Sequence, residues 1–162
     1  MLEIAHGTGD MQLDLRAAGV RTVGLDRSPH MGRIARRKLA GQGFRARLVR
    51  ADAMALPFGN ARFPAVVSTF PTNFIGHPRT LAEIRRVLRP GGRLVIVMNG
   101  QLTGAGPVPR LLELAYRVTG QRDPWPVDGI LAQFREAGLP AESVSRALPV
   151  SAVSLIVAQR AD

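Results

Sequence analysis

The 162-residue chain sets 22 Lys+Arg against 12 Asp+Glu, a net charge of +10, with 46% hydrophobic residues and no cysteine. One domain of this size buries a sizeable core, and such a composition excludes a disordered tail. Without cysteine there is no disulfide, thiolate nucleophile or Cys-ligated zinc; no apolar run approaches the ~20 residues of a membrane span, and Met1-Leu2-Glu3-Ile4 lacks the regions of a signal peptide, so a cytoplasmic location is expected.

Short apolar runs alternate with helical patterns along the chain. Leu2 to Ile4 reads as the end of a strand. Asp10 to Ala18 reads as a helix stopped by Gly19. A second strand is expected over Arg21–Leu25. A second helix follows over Pro29–Gln42, with Ser28 as N-cap and Pro29 at its first position. Phe44–Arg50 and Ala65–Thr69 are strands, the latter centred on the β-branched pair Val66-Val67. Arg79–Leu88 is a helix broken by Pro90-Gly91-Gly92, and Arg93–Met98 is the clearest buried strand. Then come a Gly/Pro-rich loop over Gly100–Pro109 and helices over Val108–Thr119 and Val127–Ala137. Two last runs, Ala141–Pro149 and Ala152–Gln159, lie too close together for a crossover and suit an antiparallel pair. Strands alternating with helices give an α/β domain with a mostly parallel sheet.

The stretch Leu2-Glu3-Ile4-Ala5-His6-Gly7-Thr8-Gly9-Asp10 carries function. A strand runs into a glycine-spaced turn and a helix follows. Gly7 and Gly9 lack Cβ atoms, so a ligand can approach the backbone, and the turn amides can meet a strongly polar group. That suits a nucleotide or nucleoside cofactor at the carboxyl edge of an open sheet. The nicotinamide fingerprint wants a third glycine where Gln12 stands, and no phosphate-cradling Gly-Lys-Ser/Thr occurs.

These residues resemble the class I S-adenosylmethionine-dependent methyltransferases, notably the group that methylates small molecules. Glu3, Ala5, Gly7 and Gly9 stand at the places of that family's first motif, with Ala5 for the usual first glycine and His6 where a small residue is frequent. Val23-Gly24-Leu25-Asp26 resembles the second strand and its acidic end. Asp26 follows Gly9 at close to the ~20-residue offset of a ribose-binding acid. Arg50-Ala51-Asp52-Ala53-Met54-Ala55-Leu56-Pro57-Phe58 resembles the third motif. Phe63-Pro64-Ala65-Val66-Val67-Ser68 resembles the fourth strand, with Pro64 where an acid is common. Glu83-Ile84-Arg85-Arg86-Val87-Leu88-Arg89-Pro90-Gly91-Gly92-Arg93-Leu94 resembles the passage into the fifth. The resemblance implies a Rossmann-like, doubly wound sheet of seven strands, mostly parallel with an antiparallel C-terminal pair, in three α/β/α layers. It implies S-adenosylmethionine as cofactor, held by Glu3, Ala5, His6, Gly7, Gly9, Asp26, Arg27, Asp52, Ala53 and Ser68. Asp26 would hold the ribose hydroxyls, and Asp52 and the Ala53 amide the adenine. Residues 1–162 form one core. The helices that the family places before the first strand are expected to be missing through a misplaced start or truncation.

The expected partner is a small-molecule methyl acceptor. Ser68-Thr69-Phe70-Pro71 lacks the Asn-Pro-Pro-Tyr pattern of amino-group methylation, which favours O- or C-methylation. No catalytic residue is assigned. His77 is the candidate base, with a helix cap or a surface loop as its plainer reading, and Tyr116 and Trp125 are candidate pocket residues. No His, Asp and Glu cluster has metal-ligand spacing. Two other functions stay open. One is a nicotinamide-dependent oxidoreductase, disfavoured by Gln12. The other is a silent binding module using the basic surface on nucleic acid. Every positive charge but Lys38 is an arginine, densest over Arg33, Arg36 and Arg37 and followed by Arg45, Arg47 and Arg50. Such a cluster is more often a solvated face, and aromatics for base stacking are sparse.

Overall fold

The computed structural model describes residues 1–102, 127–148 and 151–161. Seven strands form one sheet. In chain order they are β1 (Leu2–Ile4), β2 (Val23–Asp26), β3 (Leu48–Arg50), β4 (Phe63–Thr69), β5 (Leu88–Leu102), β6 (Ala141–Leu148) and β7 (Ser151–Gln159). Their order across the sheet is β3-β2-β1-β4-β5-β7-β6. The first five are parallel; β7 runs antiparallel to both β5 and β6, so the last strand is inserted between them. The helices are α1 (Asp10–Ala17), α2 (Pro29–Gly41), α3 (Pro78–Val87) and α4 (Val127–Glu136). This is the Rossmann-like architecture expected from the sequence.

Alternation along the strands sorts the two faces. Leu2, Ile4, Leu25, Leu94, Ile96 and Ile156 join one buried cluster with Leu81 and Ile84 of α3 and Ile130 and Phe134 of α4. Glu3 points to the opposite face, where Gln12, the buried residue of α1, meets it. Gly24, beside Glu3 in the β1–β2 register, is needed there. A Cβ on it would lie 2.8 Å from Leu48, 3.0 Å from His6 and 3.2 Å from Gln12.

The local signals act as expected at α2. Ser28 Oγ accepts from the Met31 amide over 3.3 Å, and Pro29 opens the helix. Several boundaries differ from the sequence reading by one or two residues, and three differ for a visible reason or by more. β3 starts at Leu48 rather than Phe44, because the Phe44 amide is drawn back onto Leu39 O at the end of α2. β5 starts at Leu88, pairing with Phe63, and then bulges through Arg89–Gly92 with Gly91 at φ 68° before the ladder resumes at Arg93. It also runs on to Leu102, into the segment read as a loop, because β7 continues to pair with it there. The expected helix over 108–119, with Tyr116, and Trp125 lie outside the described residues.

Candidate functional site

The direction of the crossovers reverses between β1 and β4, the place where open α/β sheets bind ligands beyond their carboxyl ends. The turn after β1 lies at that edge. Ala5, Gly7 and Gly9 take positive φ of 59°, 51° and 84°. The Gly9 amide donates to His6 O over 2.9 Å, and the Leu13 amide to Gly9 O over 3.0 Å. The two glycines are required for different reasons. A Cβ on Gly9 would lie 2.7 Å from Ala35 Cβ, so Gly9 lets α2 pack against the start of α1. A Cβ on Gly7 would meet no atom of the described residues within 4 Å, so among them the space over Gly7 is open. Ala5 holds a left-handed conformation with a side chain, which costs about 1–2 kcal/mol. His6 is buried, and its Nδ1–H donates to Gly7 O over 2.9 Å, which fixes the tautomer and ties the ring to the turn.

Asp26 ties this turn to the next strand. Its Oδ2 accepts from the Gly7 amide over 2.9 Å and its Oδ1 from the Ser28 amide over 2.8 Å. A carboxylate has about four lone-pair sites, so acceptor capacity remains for hydroxyl donors. Asp26 is half-buried, whereas the neighbouring Arg27 is exposed and its carbonyl accepts from Arg50 Nε. The β2–β3 register sets Asp26 beside Arg50, which puts Asp52 just past the same edge. Asp52 is exposed. Its Oδ1 accepts from the Met54 amide over 2.8 Å, forming an Asx turn that buries Ala53.

Glu3 has a different setting. It is 1% exposed, its Oε2 accepts from Gln12 Nε2 over 2.7 Å, and Gln12 Oε1 accepts from Thr22 Oγ1 over 2.7 Å. Its Oε1 is buried with no hydrogen-bond partner among the described residues. Burial pushes the Glu3 carboxyl up to about 7; the Gln12 hydrogen bond opposes this, and the Asp26 and Asp10 charges add to it. Sequence reasoning missed Gln12 as its partner and Thr22 as the partner of Gln12. Gln12 counted there only as an absent glycine.

Ser68 is fully buried and its Oγ donates to Ile4 O over 2.9 Å, stitching β4 to β1. Phe70, just past β4, is 63% exposed and takes φ 48°. His77 is exposed and caps α3, its Nδ1 accepting from the Arg79 amide over 3.2 Å. The structure thus gives His77 the capping role. Among the described residues no group of three or more His, Asp or Glu side chains could hold a metal ion. None of their helices is long and apolar enough to cross a membrane. The clustered arginines Arg33, Arg36, Arg37, Arg45, Arg47 and Arg50 are all exposed.

A family model described as "Methyltransferase domain" matches residues 1–92. The demethylmenaquinone methyltransferase of Thermus thermophilus is 44% identical over 125 residues, 75% of this chain and 54% of that protein. A ubiquinone/menaquinone biosynthesis C-methyltransferase of Paracoccus denitrificans is 42% identical over 118 residues, 68% of this chain and 45% of that one. The chain spans about half the length of these curated relatives. A solved SAM-dependent methyltransferase of Methanosarcina mazei superposes with a TM-score of 0.73 at 21% identity, covering 99% of this chain and 91% of its own.

Proposed function

The chain belongs to the S-adenosylmethionine-dependent methyltransferases, and on that premise we propose that it transfers a methyl group to a carbon of a small, quinone-type acceptor. The observation that carries the cofactor reading is the open space over Gly7 in a turn that Asp26 holds by its carboxylate. The residues present fit the group. Asp26 offers free lone pairs to vicinal hydroxyls, Asp52 stands one strand further along the same edge, and no side chain of the described residues fills the space over Gly7.

In this reading Asp26 orients the ribose and Asp52 accepts from the adenine amine, while the Ala53 amide faces a ring nitrogen. The amides of the Ala5–Gly9 turn face the amino-acid end. When bound, S-adenosylmethionine supplies a methyl already activated by its sulfonium. The protein's contribution is therefore orientation and exclusion of water rather than covalent chemistry. Glu3 lies under the turn and, buried, shapes it from below. Phe70 borders the place where the acceptor enters. The names of the relatives, demethylmenaquinone and ubiquinone/menaquinone C-methylation, support a quinone-type acceptor.

The test is transfer of labelled methyl from S-adenosylmethionine to a reduced naphthoquinone lacking a ring methyl, with product located by mass spectrometry. Label on a ring carbon is expected. Label only on an oxygen, or transfer only to unrelated acceptors, would replace the acceptor class while leaving the cofactor reading intact.

A further inference from the structure

The loop that carries Asp52 and Ala53 does not stand on its own strand alone. It is clasped by two side chains of α3. Glu83 Oε2 accepts from the Leu56 amide over 2.7 Å. The Arg86 guanidinium donates through one terminal nitrogen to Leu56 O over 2.9 Å and to Glu83 Oε2 over 2.7 Å. Through the other it donates to Phe58 O over 2.6 Å and Asn60 Oδ1 over 3.0 Å. Its Nε reaches Glu83 Oε1 over 2.6 Å. The helix end adds two backbone bonds, Ala61 N–H to Arg86 O at 2.9 Å and Arg62 N–H to Val87 O at 2.8 Å. Every donor of one planar fork is thus spent on positions 56–60 or on the carboxylate that holds Leu56. A compact ammonium could not reproduce that pattern.

We propose that Arg86, oriented by Glu83, is a positioning residue for the adenine end of the cofactor site, fixing the Asp52–Asn60 loop so that the base is read. This rests on the cofactor reading above. Leu56 is buried in the main cluster and Phe58 packs edge-on against Phe63 with ring centroids 5.0 Å apart. The clasp therefore anchors the downstream half of the loop, leaving the Asx turn at Asp52 as a short fixed arm extending to the sheet edge. Releasing the anchor lets that arm move, and a hydrogen bond that depends on its position loses its selectivity.

The test compares affinity for S-adenosylhomocysteine with that for S-inosylhomocysteine, in which a carbonyl replaces the adenine amine. The full chain is used as wild type, Asp52→Ala, Arg86→Ala and Arg86→Lys. The ratio of the two affinities is unaffected by the fraction of chain folded, so a merely stabilising role for Arg86 would not move it. Wild type is expected to prefer adenine by about tenfold or more, the scale of a hydrogen bond to a charged group. Asp52→Ala and Arg86→Ala should both lower the ratio severalfold, and Arg86→Lys should not restore it. If Asp52→Ala collapses the ratio and Arg86→Ala leaves it intact, the positioning role is overturned and the cofactor reading stands. If wild type shows no preference, or Asp52→Ala does not change it, the assignment of Asp52 fails and the proposal falls with it. Should Arg86→Ala not fold, Glu83→Gln serves in its place, and a ratio equal to wild type would again overturn the proposal.

Discussion

The amide of Gly7 donates to Asp26 Oδ2 over 2.9 Å, so the end of β2 sets the shape of the turn after β1. The same carboxylate accepts from the Ser28 amide and so also fixes the start of α2. Asp26→Ala should leave two backbone N–H groups without their acceptor, at a cost of about 1–3 kcal/mol. Asp26→Asn keeps an acceptor and should cost less. Urea unfolding of the three proteins checks the order.

Gly7 and Gly9 separate binding from folding. Gly9→Ala should destabilise by about 2–4 kcal/mol, because φ is 84° and the new methyl would overlap Ala35. Gly7→Ala meets no atom of the described residues, so its φ of 51° is what opposes it, at about 1 kcal/mol. That methyl would stand in the space assigned to the cofactor, so affinity for S-adenosylhomocysteine should fall steeply although the fold persists. Equal effects of the two substitutions on melting temperature would contradict the distinction.

Ala5 makes the converse prediction. At φ 59° a glycine fits better than an alanine, so Ala5→Gly should stabilise the chain by about 1 kcal/mol. Thermal melts of the single variant are sufficient, and a lower midpoint would show that the methyl packs to advantage.

Glu3 governs the pH dependence. Its carboxyl is raised from 4.5 to about 7, so in the folded chain it holds its proton where the unfolded chain has released it. Stability on this account is greatest below pH ~4.5, falls as pH rises toward 7, and is flat above, with a total of roughly 3 kcal/mol. Glu3→Gln removes the ionisation and can still accept from Gln12. It should raise the melting temperature at pH 8 and give little gain at pH 4.5. A gain independent of pH would show that Glu3 does not titrate in this range.

The Glu83–Arg86 pair has the opposite sign. Arg86 holds the Glu83 carboxyl below its ordinary value, so the stabilisation is present above that value and is lost as pH falls through the lowered one. The stability gap between wild type and Arg86→Ala should narrow in acid. An unchanged gap from neutral to acidic pH would assign the effect to the carbonyl contacts alone.

The elements readable from the chain are those with local causes. Ser28 before Pro29 starts α2, and Gly-spaced residues after a short apolar run form the turn at the sheet edge. Asp26 was legible as a strand-end acid, but its two amide donors were not, because they come from separate turns. Gln12 was hidden by its chemistry: a glutamine on an amphipathic helix reads as solvent-facing, whereas here it bridges Glu3 and Thr22 in the interior. Arg86 was hidden by distance along the chain, since Leu56, Phe58 and Asn60 approach it only when α3 packs beside their loop. His77 shows the reverse, a residue whose type suggested chemistry and whose place is a helix cap.

The central claim is that the Gly7 turn and Asp26 together form a binding site for the adenosyl cofactor. Calorimetric titration of the full chain with S-adenosylhomocysteine, with Asp26→Ala alongside, tests it most directly. The account predicts saturable one-site binding that the substitution abolishes while circular dichroism shows both chains folded. A folded wild-type chain that takes up no ligand, or an Asp26→Ala chain that binds equally well, would contradict it.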